Sequence, residues 1–184
     1  MAEERFLLPV TPDSLKRRGF SYPDSQSDDM EHEATVEGVG IGVGDEGSGA
    51  PVVLLSARDK VIPIFVSTDQ AQSMQLAIDG EPFERPLTHD LMVEMVAEFG
   101  AAIDRVRIDD LADGTFYAKI DTEQYLDDRR KEMVFDARPS DGIAISLRVD
   151  CPLIVSDEVV DAAGRSPEEF QTEEEPDDES DFKL

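Results

Sequence analysis

The chain has 184 residues, which is enough for one domain with extensions and short for two. Its 43 acidic residues outnumber 17 basic ones, and the resulting net charge of −26 argues against binding nucleic acid through the overall electrostatic field. The single cysteine, Cys151, excludes an internal disulfide and a multi-thiolate metal site, and two histidines exclude a His-rich metal site.

The acid-rich composition has two interpretations. One is an acidic surface that faces a partner protein. The other is adaptation to molar salt, where a carboxylate-rich surface stays hydrated while its self-repulsion is screened. The scarcity of lysine and the absence of tryptophan favour the second interpretation.

Composition divides the chain into three parts. Residues 1–33 have turn formers without apolar periodicity and are predicted to be a disordered arm. A start at Met30, with residues 1–29 an over-extension of the gene, explains those 29 residues equally well. Residues 34–164 have the orderly pattern of a single domain, and residues 165–184 are predicted to be a disordered acidic tail. No signal peptide and no apolar run long enough for a membrane span are recognised, so we expect a cytoplasmic protein.

Periodicity predicts the first half of the domain as two strand regions followed by two helices. In chain order these are a strand at 35–43, a hairpin of 52–55 and 61–66, a helix from Ser67 or Thr68 to Gly80, and a helix from Thr88 to Gly100. Ser67 and Gln70 have the spacing of a capping box, and Pro63 requires an edge strand or a bulge. In the second helix, five residues fall on one apolar face: Leu91, Met92, Met95, Val96 and Phe99.

The second half alternates strands with short helices. The predicted elements are a strand at 103–108, a turn at Asp113-Gly114, a strand at 115–120, a strand at 133–135, a helix from Pro139, a strand at 153–155 and a helix at 157–163. Mixed helices and hairpins predict an α+β single domain, with a mixed, mainly antiparallel sheet and three to four helices.

No Walker loop, HExxH, GxSxG or zinc spacing occurs, but three polar clusters stand at predicted element ends. The first surrounds the start of the second helix, where exposed N–H groups favour an anion. Arg85 and Thr88 are candidates for binding phosphate, and His89 is a candidate acid or base. The alternative is that Thr88 caps the helix, Asp90 complements its dipole and His89 packs.

The second cluster, Asp109, Asp110 and Asp113, lies at a strand end and hairpin turn. Carboxylate oxygens suit Mg²⁺ or Mn²⁺, which can polarise a phosphate and activate a water. The alternative is that Asp113-Gly114 only makes the turn and the other two carboxylates are solvated.

The third cluster stands where a predicted strand gives way to a helix. Asp136 and Asp141 are candidate catalytic carboxylates, and Arg138 and Ser140 are candidate phosphate contacts. The alternative is a helix cap with Arg138 in a structural ion pair.

Together these clusters resemble the bifunctional nuclease (DNase/RNase) domain family, in an acid-rich, haloarchaeal-like version. The matching stretches occur in the family's order between about Thr35 and Gly164: Gly38-Val39-Gly40, Pro51–Leu55, Pro63–Val66, Arg85–Leu91, Asp109–Ala118 and Asp136–Ala144. Two features depart from the family pattern. Gly142 stands where a small residue such as alanine is usual, and an acidic tail replaces the C-terminal extension of some relatives.

The resemblance implies a homodimeric α+β domain that acts on DNA and RNA. Because the net charge repels phosphate, such an enzyme needs a local cationic patch or a divalent ion. The candidate patch comprises Arg85, Arg105, Arg107, Arg129, Arg130, Lys131, Arg138 and Arg148. The leading hypothesis is a broad-specificity phosphodiester hydrolase, assisted by Mg²⁺ or Mn²⁺.

Two other functions remain open from the sequence. One is a non-enzymatic dimeric interaction or regulatory module, in which the clusters are caps and ion pairs. The other is a small-anion or nucleotide-binding protein that uses the helix start at Pro139-Ser140. Convergence of the clusters on one cleft favours the enzyme, and wide separation favours the module.

Overall fold

The computed structural model describes residues 30–43, 49–80, 84–126 and 129–170. Within them are seven strands, four α-helices and a short 3₁₀ helix at Pro167–Phe170. The strands are β1 (Glu31–Val43), β2 (Gly49–Ala57), β3 (Lys60–Phe65), β4 (Ala101–Ala112), β5 (Thr115–Leu126), β6 (Arg129–Ala137) and β7 (Leu153–Ser156). The helices are α1 (Thr68–Asp79), α2 (Thr88–Glu98), α3 (Pro139–Val149) and α4 (Asp157–Ala163).

All seven strands form one sheet in the order β3-β2-β1-β7-β4-β5-β6. Neighbouring strands are antiparallel, except that β7 runs parallel to β4, with Val106 opposite Leu153 and Ile108 opposite Val155. The expected α+β class with a mainly antiparallel sheet is therefore confirmed. The short strand β7 lies in the middle of the sheet and joins a β1–β3 half to a β4–β6 half.

Local signals set several element boundaries. Asp113 and Gly114 both have positive φ, which the tight turn between β4 and β5 requires. Pro63 lies in β3, an edge strand of the described sheet, where its missing N–H need not enter a ladder. Gly80 ends α1 in the left-handed conformation.

The core lies between the sheet and helices α1, α3 and α4. Helix α3 packs on β4 and β5 and is flanked by α1 and α2. Its buried Gly142 permits this close approach, because a Cβ at that position would come within 2.7 Å of Val106 Cγ1. The largest fully buried side chains are Leu55, Ile62, Met74, Ile108, Ile143 and Ile145.

Helix α2 is the one described α-helix with no buried residue. Its apolar face was predicted from helical spacing, and that spacing is present. Four members of the face are nevertheless exposed in the single chain: Leu91, Met92, Met95 and Phe99. The periodic pattern therefore identified the face but not a partner for it.

The described elements extend slightly past the predicted domain limits of 34 and 164, from Glu31 to Phe170. Most of the predicted arm and tail, residues 1–29 and 171–184, lies outside the described residues. Of the helices that the structure describes, none is long and apolar enough to cross a membrane.

Candidate functional site

The first turn of helix α1 is fixed by a capping box and lies next to the start of α3. Ser67 accepts a hydrogen bond from the Gln70 N–H, and the Gln70 side chain accepts one from the Ser67 N–H, which is the predicted capping box. The Gln70 amide also donates to Ser140 Oγ over 2.8 Å. This bond ties the start of α1 to the start of α3, and it engages Ser140, a buried side chain that the sequence assigned to phosphate binding.

Helix α2 begins beside this point. Its N-cap is Leu87, whose N–H donates to Asp90 Oδ2 over 2.8 Å, so the predicted cap at Thr88 lies one residue too late. The Asp90 carboxylate satisfies a backbone N–H that the helix itself leaves unpaired. This local capping fixes the first turn, and His89 in that turn has only 12% of its side chain exposed.

Helix α3 begins at Pro139, with Arg138 as its N-cap. Arg138 donates two hydrogen bonds to Asp141, from Nε over 2.8 Å and from Nη2 over 3.1 Å. The fork is a bidentate guanidinium–carboxylate pair. Because 71% of the Arg138 side chain is exposed, its remaining donors face solvent and are available to a ligand.

His89 joins α1 to α3. Its Nε2 lies 3.2 Å from Asp141 Oδ1, and its Nδ1 lies 3.2 Å from Ser73 Oγ on α1. The imidazole thus stands between a hydroxyl and a carboxylate contributed by two other helices. The first and third polar clusters of the sequence, which are 52 residues apart at these positions, meet here.

Arg148 lies next to Ser73 and contacts residues of α1, α2 and α3. Its Nε donates to Asp90, its Nη1 donates to the Ala144 carbonyl over 2.8 Å, and its Nη2 donates to Ser73. The Nη2–Ser73 distances are 3.1 Å to Oγ and 3.3 Å to the carbonyl oxygen. Only 9% of the Arg148 side chain is exposed, so it is both a brace and a fixed positive charge beside Ser73.

The two carboxylates of the site remain ionised well into acid. Burial raises the pKa of Asp141, but hydrogen bonds from Arg138 and His89 outweigh it and leave the pKa below its ordinary value. The pKa of Asp90 is lowered in the same way: burial opposes ionisation, and the Arg148 and Leu87 hydrogen bonds outweigh burial. At neutral pH both carboxylates therefore carry their full negative charge.

The remaining predicted site residues of the first and third clusters lie outside the group formed by Ser73, His89, Asp141 and Arg138. Arg85 and Thr88 are exposed beside the start of α2. Asp136 is exposed on β6 and pairs in register with Lys119, whose side chain binds Asp109 rather than any group of the site. Among the described residues, no hydrogen bond or ion pair connects Asp136 with His89 or Asp141.

The predicted metal cluster does not join this site. Asp109 Oδ2 is buried and lies 2.6 Å from Lys119 Nζ and 3.7 Å from Arg107 Nη1, so cations already neutralise it. Asp110 is exposed, and Asp113 occupies the hairpin turn. In the parts of the chain that the structure describes, no group of three or more His, Cys, Asp or Glu side chains is arranged to hold a metal ion.

Five of the eight cations of the predicted patch take part in ion pairs within the described residues, and the other three, Arg85, Arg129 and Lys131, are exposed. Arg105 and Arg107 both bind Asp121, Arg130 binds Glu123 and Glu132, and Arg148 binds Asp90. The side chain of Arg138 is the most exposed of the cations that take part in an ion pair within the described residues. Of the ion-paired cations of the predicted patch, Arg138 at the start of α3 is therefore the one most accessible to an anion.

Sequence reasoning missed Gln70 and Ser73 on α1 as members of the site, and it named Arg148 only as a member of the cationic patch. Arg148 carried a usable signal, because a charge within the apolar run from Ile143 to Val149 needs a buried partner. Gln70 and Ser73 are three residues apart and share one helix face, but their partners lie on other helices. No local pattern could identify those partners.

Comparisons with known proteins agree with this domain. The family model of the bifunctional nuclease domain matches residues 52–168, which is more than half of the chain. Proteins from two strains of Mycobacterium tuberculosis, both described as uncharacterized, are 38% identical over 152 residues, covering 79% of this chain and 88% of each relative. A protein of Oryza sativa subsp. japonica described as bifunctional nuclease 2 is 26% identical over 113 residues, covering 60% of this chain and 34% of that protein. The chain therefore belongs to the bifunctional nuclease domain family.

Proposed function

We propose that the chain is a nuclease that hydrolyses phosphodiester bonds of DNA and RNA with broad specificity, using the group formed by His89, Asp141 and Arg138. The observation that carries the proposal is the convergence of these residues at the starts of α2 and α3, since a histidine held by a carboxylate beside an exposed arginine suits acid–base chemistry on a phosphate. Family membership supports the same reaction class.

The residues divide the chemistry among them. Asp141 accepts from His89 Nε2–H, which leaves Nδ1 as the base that takes a proton from the attacking group. Arg138 holds Asp141 with one edge of its guanidinium and offers its remaining N–H donors to a phosphate oxygen. Arg85 and Thr88, exposed next to the same helix start, extend the phosphate contacts. Because the charges of this group are nearly balanced, substrate can approach despite the net charge of −26.

Assistance by Mg²⁺ or Mn²⁺ stays a prediction, and Asp109, Asp110 and Asp113 remain its candidate ligands. An ion that binds Asp109 has to displace Lys119 from it. The catalytic role of Asp136 likewise stays a prediction. A catalytic role for Asp136 requires substrate to reach β6 as well as the starts of α2 and α3. Loss of activity in Asp136→Asn would support that role, and unchanged activity would leave only the group at the helix starts.

The decisive test measures cleavage of single-stranded DNA and RNA in near-molar KCl, with Mg²⁺, Mn²⁺ or EDTA. His89→Gln and Arg138→Ala are expected to abolish most of the activity of the wild-type protein. His32→Gln is the matched control, because His32 also pairs with an aspartate, Asp157, at 2.8 Å, but at the start of α4. A folded wild-type protein without cleavage in any condition, or equal activity in His89→Gln and wild type, contradicts the proposal.

We also propose that the protein forms a homodimer through the exposed face of α2. Leu91, Met92, Met95 and Phe99 form an apolar surface on a helix that buries nothing in its own chain. A non-enzymatic interaction module would use the same face, so inactivity combined with dimerisation would favour that alternative.

Light scattering after size exclusion tests the dimer. The wild type is expected to have twice the mass of the chain, and Leu91→Glu combined with Phe99→Glu is expected to give a folded monomer. Ile41→Glu is the control, since Ile41 is at least as exposed as Leu91 and Phe99 but lies on β1. A monomeric wild type at micromolar concentration refutes the dimer.

A further inference from the structure

The hydroxyl of Ser73 stands at one end of a continuous relay of polar groups. Ser73 lies in the middle of α1 and is half-buried. Its Oγ is 3.2 Å from His89 Nδ1, and the other ring nitrogen is 3.2 Å from Asp141 Oδ1. Arg138 holds that carboxylate through two hydrogen bonds. A hydroxyl, an imidazole and a fixed carboxylate in this order form the usual means of activating a serine.

The surrounding donors determine where each proton lies. Arg148 has no acceptor atoms, so its Nη2 donates to Ser73 Oγ. That oxygen is then free to donate its own proton to His89 Nδ1. A neutral imidazole that accepts at Nδ1 carries its proton on Nε2, where the ionised Asp141 accepts it. Every contact in the relay therefore has one donor and one acceptor, and all point the proton of Ser73 toward the imidazole.

We propose that Ser73 is the nucleophile of the phosphodiester hydrolysis and forms a covalent phosphoseryl intermediate. This inference rests on the nuclease function proposed above. The Ser73 oxygen attacks phosphorus, and a new O–P bond forms as the bond to the leaving sugar oxygen breaks. The hydroxyl proton passes to His89 Nδ1 and reaches the departing alkoxide through water.

A water molecule completes the reaction. Neutral His89 takes a proton from this water as its oxygen attacks phosphorus, and the serine O–P bond breaks. The imidazolium returns that proton to Ser73 Oγ. The products are a terminal phosphate and a free hydroxyl, so one water is consumed for each bond cleaved and the enzyme is regenerated.

The groups around Ser73 suit a phosphoryl centre better than an acyl one. Many acyl-transfer enzymes stabilise the oxyanion with free backbone N–H groups, but the N–H groups around a mid-helix serine are bonded within the helix. Ser73 Oγ instead has the guanidinium of Arg148 at 3.1 Å. A guanidinium at this distance can donate hydrogen bonds to the charged oxygens of a phosphoryl transition state.

The stereochemical course at phosphorus tests the inference on the wild-type protein. A phosphorothioate diester of one configuration is hydrolysed in ¹⁸O-labelled water. Two successive displacements at phosphorus give overall retention, and direct attack by water gives inversion. Retention is expected, together with an acid-stable nucleotide adduct on the Ser73 peptide by mass spectrometry. Inversion overturns the inference and leaves the nuclease function intact, whereas no cleavage by the folded protein overturns both.

A matched pair of serine variants adds an independent result. Ser73→Ala removes the nucleophile and is expected to lower kcat by roughly a thousandfold or more while the protein remains folded. Ser67→Ala removes a hydroxyl from the same helix, at its N-cap, and is expected to retain activity at a temperature where it is folded. Equal activity in Ser73→Ala and Ser67→Ala also overturns the inference.

Discussion

Replacing Arg148 with methionine should destabilise the protein more than any change to the exposed arginine of the same site. Arg148 donates hydrogen bonds to Asp90, to Ser73 and to the Ala144 carbonyl, and only 9% of its side chain is exposed. Methionine keeps the apolar stem but removes every donor. The three helices around the site, α1, α2 and α3, would then lose one of the groups that connect them.

The loss of unfolding free energy expected for Arg148→Met follows from the burial of the ion pair. Removing one partner of a buried ion pair costs about 3–5 kcal/mol of unfolding free energy. Asp90 is 38% exposed, so water can rehydrate its carboxylate when the guanidinium is lost, and the lower end applies. We therefore expect a loss of about 3 kcal/mol, which corresponds to a decrease in Tm on the order of 10 °C for a domain of this size.

Arg138→Met is the internal control. Arg138 also forms a bidentate pair, but 71% of its side chain is exposed, so the expected loss is below about 1 kcal/mol. Urea unfolding of both variants and the wild type, at one fixed KCl concentration, gives the comparison. Equal stabilities of the two variants would refute the assignment of Arg148 as the buried brace.

Three further outcomes can be measured on the same protein. Gly142→Ala should lower the unfolding free energy by about 1 kcal/mol, because the new Cβ meets Val106 Cγ1 at 2.7 Å. Such crowding costs about 1–3 kcal/mol, which exceeds the gain in helix propensity of about 1 kcal/mol. A gain in stability would disprove the close approach of α3 to β4. Burial raises the pKa of Asp121, but hydrogen bonds from Arg107 and Arg105 outweigh burial and lower the pKa below 3.8. The ionised Asp121 therefore stabilises the folded state above about pH 4, and this stabilisation is lost as pH falls through the folded-state pKa. The unfolding free energy should therefore fall from pH 5 to pH 3, and the fall should be smaller in Asp121→Asn than in wild type. Finally, Tm should rise between 0.1 M and 2 M KCl, because salt screens the repulsion among 43 carboxylates; a Tm independent of KCl would contradict adaptation to high salt.

Local chemistry made much of the fold predictable. Ser67, Gln70 and Gly80 set both ends of α1, and Asp113-Gly114 set the β4–β5 turn, because these signals act over three or four residues. The sequence pattern did not predict the strand order. The position of β7 between β1 and β4 depends on contacts between residues far apart in the chain, which no local period contains.

The site was predictable in parts. His89, Arg138 and Asp141 were identified because each stands at a helix start, where polar groups have a recognised role. Their convergence depends on how α2 and α3 pack together, and the Ser73 contact depends on α1 as well. The sequence did not show that five of the eight cations of the predicted patch form internal ion pairs, since a sequence shows which residues carry charge but not which charges neutralise one another.

The central position of β7 determines when the sheet can be completed. The β1–β3 and β4–β6 halves are both made of strands that precede β7 in the chain, yet only this four-residue strand joins them. During synthesis each half can form its own hairpins, but the joint has to wait until Leu153–Ser156 has left the ribosome. Folding of the whole domain is consequently a late event, and a chain that ends before β7 would have two unconnected sheet edges exposed to aggregation.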